Sequence, residues 1–163
     1  MEWNLRNLYS FTEDLTARGL QPETRLLVFE VVLRQTIASE VFGLDAKEPL
    51  IKLIRLRLAS GEPLMLETTY IPESLVPGLT EEDVKTKALY TLLEEKYGMS
   101  LKRAVESFEP ILIDEFAAKM LEVPKGSPAL YLERAGALAN GNRVELSQSV
   151  VRGDRCRYLV ELL

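Results

Sequence analysis

The sequence predicts an α+β domain: a largely antiparallel β-sheet with short helices packed on it. Three observations lead there. Long runs rich in Leu, Ile and Val, such as Leu50 to Ala59 and Leu64 to Tyr70, are bounded by Gly, Pro and Asn. Several of these runs are joined by hairpin sequences, notably Ala59-Ser60-Gly61 and Asn140-Gly141. The helical patterns between them are few and short, as expected when helices cover an antiparallel sheet.

Taken in order, Ser10-Phe-Thr-Glu13 is a capping box, whose helix ends at Gly19. After the break at Gln21-Pro22-Glu23, Arg25 to Gln35 reads as a long strand, and Ala38 to Leu44 as a brief helix ahead of a turn over Asp45 to Pro49. The hairpin of Leu50–Ala59 and Leu64–Tyr70 follows, and Pro72, Pro77 and Gly78 mark a loop. Lys85 to Tyr97 reads as one amphipathic helix, with Leu89, Leu92 and Leu93 on its stripe and Gly98 as its stop. Ser100 to Ile113 is a strand, and Asp114 is a suitable N-cap for a helix over Glu115 to Leu121. Ala129 to Ala139 and Arg143 to Val151 form a second hairpin. Arg152-Gly-Asp-Arg155 is a turn, and Cys156 to Leu162 is a last strand.

The chemistry concentrates on the first hairpin. Arg55 and Arg57 are spaced i, i+2, so both point to one face of their strand, with Ile51, Leu53 and Ala59. Arginine on a half-buried sheet face needs a negative partner, which is either Glu67 on the return strand or an anionic ligand. A two-residue loop would put Glu67 on the opposite face. A three-residue loop with Gly61 in the left-handed region puts it with the arginines, and this second geometry is expected. Ser10 at a helix start offers amides to an anion or is simply a cap. Glu145, Ser147 and Ser149 share a face that reads either as the wet side of a sheet or as a polar binding wall. Tyr90 either lines a pocket or covers the sheet, and Cys156 reads as a small buried apolar residue.

Composition bounds the rest. The 163 residues fit one domain, 1–163, and 47% hydrophobic with 28% charged content is that of a soluble globular protein. A net charge of −5 gives no electrostatic footprint for nucleic acid. With no histidine and a single cysteine, His-based acid–base catalysis, a Ser-His-Asp triad and the usual zinc sites are excluded. Neither metal nor cofactor is expected, since nothing matches a P-loop, a GxGxxG fingerprint or a metal cluster. One cysteine allows no internal disulfide, and no apolar run approaches a membrane span, which together point to the cytoplasm.

Taken together, Ser10–Asp14, Arg55–Pro63, Leu66–Pro72, Ala88–Gly98, Val123–Leu130, Arg143–Ser147 and Arg152–Arg155 resemble the UTRA effector-binding domain of HutC-type GntR transcription regulators. The resemblance runs over essentially the whole chain. It implies a chorismate-lyase-like fold with a small-molecule cavity and a homodimeric, non-enzymatic sensor. It also implies operator binding through a preceding winged helix-turn-helix that this sequence does not contain. The family pattern puts an anionic effector, a sugar phosphate or a carboxylate, among Ser10, Phe11, Arg55, Arg57, Glu67, Tyr90 and Glu145, with Ala88, Ser147 and Val151 lining the pocket. In that reading Glu67 is a ligand contact rather than the arginines' ion-pair partner, and effector binding orders the segment around Ser10. Ala88 departs from the family's serine, and Val151 from the aromatic residue of some relatives. A chorismate-lyase-like enzyme and a dimerisation module without ligand are the competing readings.

Overall fold

Six strands form one wholly antiparallel sheet in the order β2-β3-β4-β7-β6-β5. They are β2 (Pro22–Val32), β3 (Leu50–Ala59), β4 (Glu62–Pro72), β5 (Arg103–Leu112), β6 (Pro128–Ala137) and β7 (Arg143–Arg152). A separate parallel pair joins β1 (Glu2–Asn4) to β8 (Arg157–Leu159). The computed structural model describes residues 2–4, 15–159 and 162, with backbone alone for 2–4. The Ser10 capping box therefore lies outside the described residues.

Helices cover both faces. On one, α2 (Glu81–Thr86) and α3 (Leu89–Tyr97) pack Val84, Leu89, Leu92 and Leu93 onto Ile51, Leu53 and Ile71. On the other, α1 (Thr36–Phe42) places Ala38 against Leu50, Tyr70 and Leu146, while α4 (Glu115–Leu121) packs Ala117, Ala118 and Leu121 on Leu56, Leu58 and Leu66. Each fully buried leucine contributes roughly 1.5–3 kcal/mol.

The expected helix over Lys85 to Tyr97 is in fact two. Lys87 and Ala88 are extended, and the first helix starts at a capping box the sequence reading missed. Thr80 Oγ1 accepts from the Asp83 amide at 3.2 Å, and Asp83 Oδ2 accepts from the Thr80 amide at 2.9 Å. Thr86 Oγ1 donates back to the carbonyls of Glu82 and Asp83, and the chain leaves the helix there. The break re-aims α3, and with it Tyr90. Thr80→Ala is expected to lower stability by about 1 kcal/mol in urea unfolding, the usual worth of such a cap.

Other boundaries shift. Strand β2 begins at Pro22, which an edge strand tolerates, and ends at Val32. Asn140-Gly141 sits in a five-residue connection, 138–142, closed by Gly141 N donating to Leu138 O at 2.9 Å. Asp114 caps α4 as expected, accepting from the Ala117 amide at 2.8 Å.

The first hairpin reaches the expected register by another route. Its loop is only Ser60-Gly61, both with positive φ (48° and 85°), and a bulge between Arg57 and Leu58 restores the parity that the short loop would have inverted. Arg55 therefore stands directly opposite Glu67.

Candidate functional site

The register assembles a buried polar layer across the middle of one sheet face. Along β3 this face reads Leu53, Arg55, Arg57; along β4 it reads Met65, Glu67, Thr69, Ile71; along β7, Glu145, Ser147, Ser149, Val151; along β6, Leu132, Arg134, Gly136. The apolar ends belong to two separate clusters. Leu53 and Ile71 join the core under α2 and α3, while Met65, Leu132 and Val151 join one with Leu15 and Cys156. The polar residues lie between these clusters.

A carboxylate sits at its centre. Glu67 Oε1 pairs with Arg55 Nη2 and, at 3.1 Å, with Arg57 Nη1. Both arginines are buried, 5% and 6% exposed, so this is not a solvated surface pair. Glu67 is thus the shared partner of both guanidinium groups, which corrects the expectation that ligand contact would take precedence over ion pairing. Burial pushes its carboxyl up, but the charges and hydrogen bonds of Arg55 and Arg57 outweigh that and hold it at about 2. Arg57 also falls, but for the opposite reason. Burial lowers it to about 10, Glu67 opposes, and the like charge of Arg55 adds to the fall. The guanidinium stays charged at neutral pH, and Glu67 offsets part of the effect of its burial. Both arginines are paired to this carboxylate.

Hydroxyls carry the layer across the sheet. Thr69 Oγ1 meets Ser147 Oγ at 3.1 Å, Ser147 donates to Glu145 Oε1, and Tyr90 on α3 donates to Glu145 Oε2 at 3.2 Å. The Glu145 row is therefore buried, not a wet face. Burial raises the Glu145 carboxyl, and the Ser147 hydrogen bond and Arg134 charge only partly offset this. Burial likewise holds Tyr90 well up, so its hydroxyl is a donor.

Of the residues proposed from sequence, the structure brings Arg55, Arg57, Glu67, Tyr90, Glu145 and Ser147 into this layer. Val151 stands at its apolar border, and Ala88 is the N-cap of α3, without a side-chain hydrogen bond. Ser10 and Phe11 lie outside the described residues. The sequence reading missed Thr69, Arg134 and Gly136, while Ser149 had been placed on the Glu145 row. Thr69 was readable, since it is two residues from Glu67 and so on the same face. Arg134 gave the same signal as the first two arginines, a cation in mid-strand between Leu132 and Gly136.

Gly136 makes room for Glu145. A Cβ at 136 would lie 2.8 Å from Glu145 Oε2 and 2.7 Å from Leu101 Cδ2. Gly136→Ala is expected to displace the carboxyl from Tyr90 and cost about 1–3 kcal/mol, the range for overpacking. A double-mutant cycle with Glu145→Ala checks this: the cost should fall once the carboxyl is gone, leaving the part that comes from Leu101.

A cleft of about 400 Å3 lies elsewhere, at the tip of the β3–β4 hairpin, lined by Arg18, Ser60, Glu62 and Arg155 among others. Its Arg155 and Glu62 pair at 2.6 Å with side chains half exposed, so it lacks the burial of the polar layer. Among the described residues no group of side chains could hold a metal ion, and no helix is long and apolar enough to cross a membrane.

A family model described as the UTRA domain matches residues 17–157. The HTH-type transcriptional repressor NagR of Bacillus subtilis is 31% identical over 159 residues, spanning 98% of this chain and 65% of that protein. The HTH-type transcriptional repressor PhnF of Mycolicibacterium smegmatis is 28% identical, spanning 91% of this chain and 61% of that protein. The chain thus covers less than two thirds of the length of either relative. The crystal structure of the effector domain of PhnF from Mycobacterium smegmatis superposes with a TM-score of 0.93 at 26% identity, covering 100% of this chain and 99% of that one. These relatives are named as regulators, not enzymes. With a family match over most of its length, this chain belongs to the UTRA domain family.

Proposed function

We propose that this chain, as a single unit over 1–163, is the sensor of a GntR-type transcription regulator of the HutC subfamily. It binds a small anionic metabolite, a sugar phosphate or a carboxylate, and controls DNA binding by a winged helix-turn-helix module elsewhere in the regulator. The observation that carries the anionic class is the placing of two buried guanidinium groups, Arg55 and Arg57, on one sheet face within a desolvated polar layer. Arginine forks suit phosphate and carboxylate oxygens, and burial strengthens each such bond. Tyr90, Glu145, Ser147 and Thr69 supply donors and acceptors for hydroxyl groups, and the reading extends to Ser10 and Phe11.

The regulatory half of the proposal is supported by the relatives, which are named HTH-type repressors and are longer than this chain. In this reading the regulator is a cytoplasmic homodimer, and the effector shifts how its two DNA-binding modules are held. The test has two stages. Thermal-shift screening of phosphorylated sugars and organic acids should find an anion that stabilises the domain. Operator affinity of the full-length regulator is then measured with and without that anion, and no change at saturation would remove the sensor reading.

A further inference from the structure

We infer that Arg134 forms a second anion subsite in the same layer, so that the effector carries an anionic group at each end. The inference rests on the sensor reading above and narrows its ligand class. Arg134 projects from β6 on the face that holds Ser147, its direct cross-strand neighbour. Its guanidinium carbon lies 5.2 Å from the centre of the Tyr90 ring, the phenol that donates to Glu145. Its one ion pair among the described residues is loose, Nη1 to Glu106 Oε1 at 3.6 Å. Nε and Nη2 are buried and make no hydrogen bond there. Buried donors are almost always satisfied, and a guanidinium stacked on an aromatic ring with two donors spare is built to receive a planar oxyanion.

The placement sets the length of the ligand. Arg55 and Arg134 stand on β3 and β6, three strand steps apart through β4 and β7. Their backbones are thus separated by roughly 14 Å, taking about 4.8 Å per step. The Arg55 guanidinium already reaches over β4, where it contacts Glu67 and Thr69. The remaining span matches the length of an extended six-carbon chain with charged ends, whose hydroxyls would meet Thr69, Ser147 and Glu145 on the strands between. Ala88 offers no side-chain hydroxyl at the start of α3, so extra anion binding has to come from the sheet.

Isothermal titration of the full chain with three probes tests this: inorganic phosphate, glucose 6-phosphate, and 6-phosphogluconate, in which carbon 1 of the same skeleton is a carboxylate. The wild type should bind 6-phosphogluconate about tenfold more tightly than glucose 6-phosphate, as one added charge-assisted pair implies. Arg134→Gln should abolish that preference while leaving glucose 6-phosphate affinity nearly unchanged. Glu106→Gln, which removes the competing carboxylate, should widen the preference. Equal affinities in the wild type, or a preference that survives Arg134→Gln, would overturn the second subsite and leave the anion reading standing. If Arg134→Gln does not fold, Glu106→Gln decides, and a preference that fails to widen counts against the inference. Phosphate that does not bind, or binds undiminished to Arg55→Met, overturns the anion reading and this inference with it.

Discussion

Glu67→Gln is expected to be among the most damaging single substitutions in this domain, lowering its stability by about 3–5 kcal/mol at neutral pH. Two guanidinium groups, Arg55 and Arg57, lie buried and paired to this one carboxylate. Glutamine keeps the shape and removes the charge, so both guanidinium groups lose this anionic partner at once. The carboxyl's fall from 4.5 to about 2 corresponds to roughly 3 kcal/mol, in line with the figure from charge burial. For a chain of 163 residues a loss of about 3–5 kcal/mol is a drop in Tm of roughly 6–20 °C. The sign of the pH dependence follows from the depressed carboxyl. Its contribution is fully present above pH 4.5 and is lost as pH falls toward 2. Wild-type stability should therefore fall through that window, and Glu67→Gln should flatten the fall. Phosphate should also stabilise the variant more than the wild type, because an added anion takes the place of the missing carboxylate. A variant as stable as the wild type would show that the carboxylate contributes little to holding the arginines.

Much of this site was legible because strands obey a period of two. Arg55 and Arg57 could be assigned to one face, with an anion beside them, from spacing alone. The position of Glu67 depended on loop parity, and there the right face was expected for the wrong reason. A three-residue loop was anticipated, whereas a two-residue loop and a bulge between Arg57 and Leu58 give the same parity. A bulge inserts one residue without any composition mark, so a single sequence does not reveal it. The break between α2 and α3 was hidden similarly. Leu89, Leu92 and Leu93 continue a helical stripe across it, and only the competing Thr80 cap and the back-bonding of Thr86 end the first helix. Arg134 was overlooked for a different cause. Its importance comes from neighbours on β7 and α3 that are distant in sequence, and strand order is not written in local pattern.

Arg55→Met should separate binding from stability in the direction opposite to Glu67→Gln. With Arg55 gone, Glu67 still has Arg57 at 3.1 Å, so the carboxylate is not stranded. Methionine fills much of the same volume along the sheet, and the stability loss should stay within about 1–2 kcal/mol. Anion affinity is another matter. The layer loses one of its two buried guanidinium forks on this face, and truncating one partner of a buried charge-assisted contact costs about 2–5 kcal/mol. Phosphate binding measured by titration should therefore weaken roughly 30-fold or more. Arg55→Lys should not restore it fully, because an ammonium cannot hold Glu67 and an oxyanion with one planar fork. The control is Arg25→Met on β2, whose partner Glu23 lies at 2.8 Å with both side chains well exposed. Loss of that surface pair should change stability by less than about 1 kcal/mol and leave phosphate binding intact. If Arg55→Met bound phosphate as the wild type does, Arg55 would not be an anion contact. Glu67 and its arginines would then be a structural ion-pair cluster alone, and the specificity of this domain would lie in some other part of the sheet.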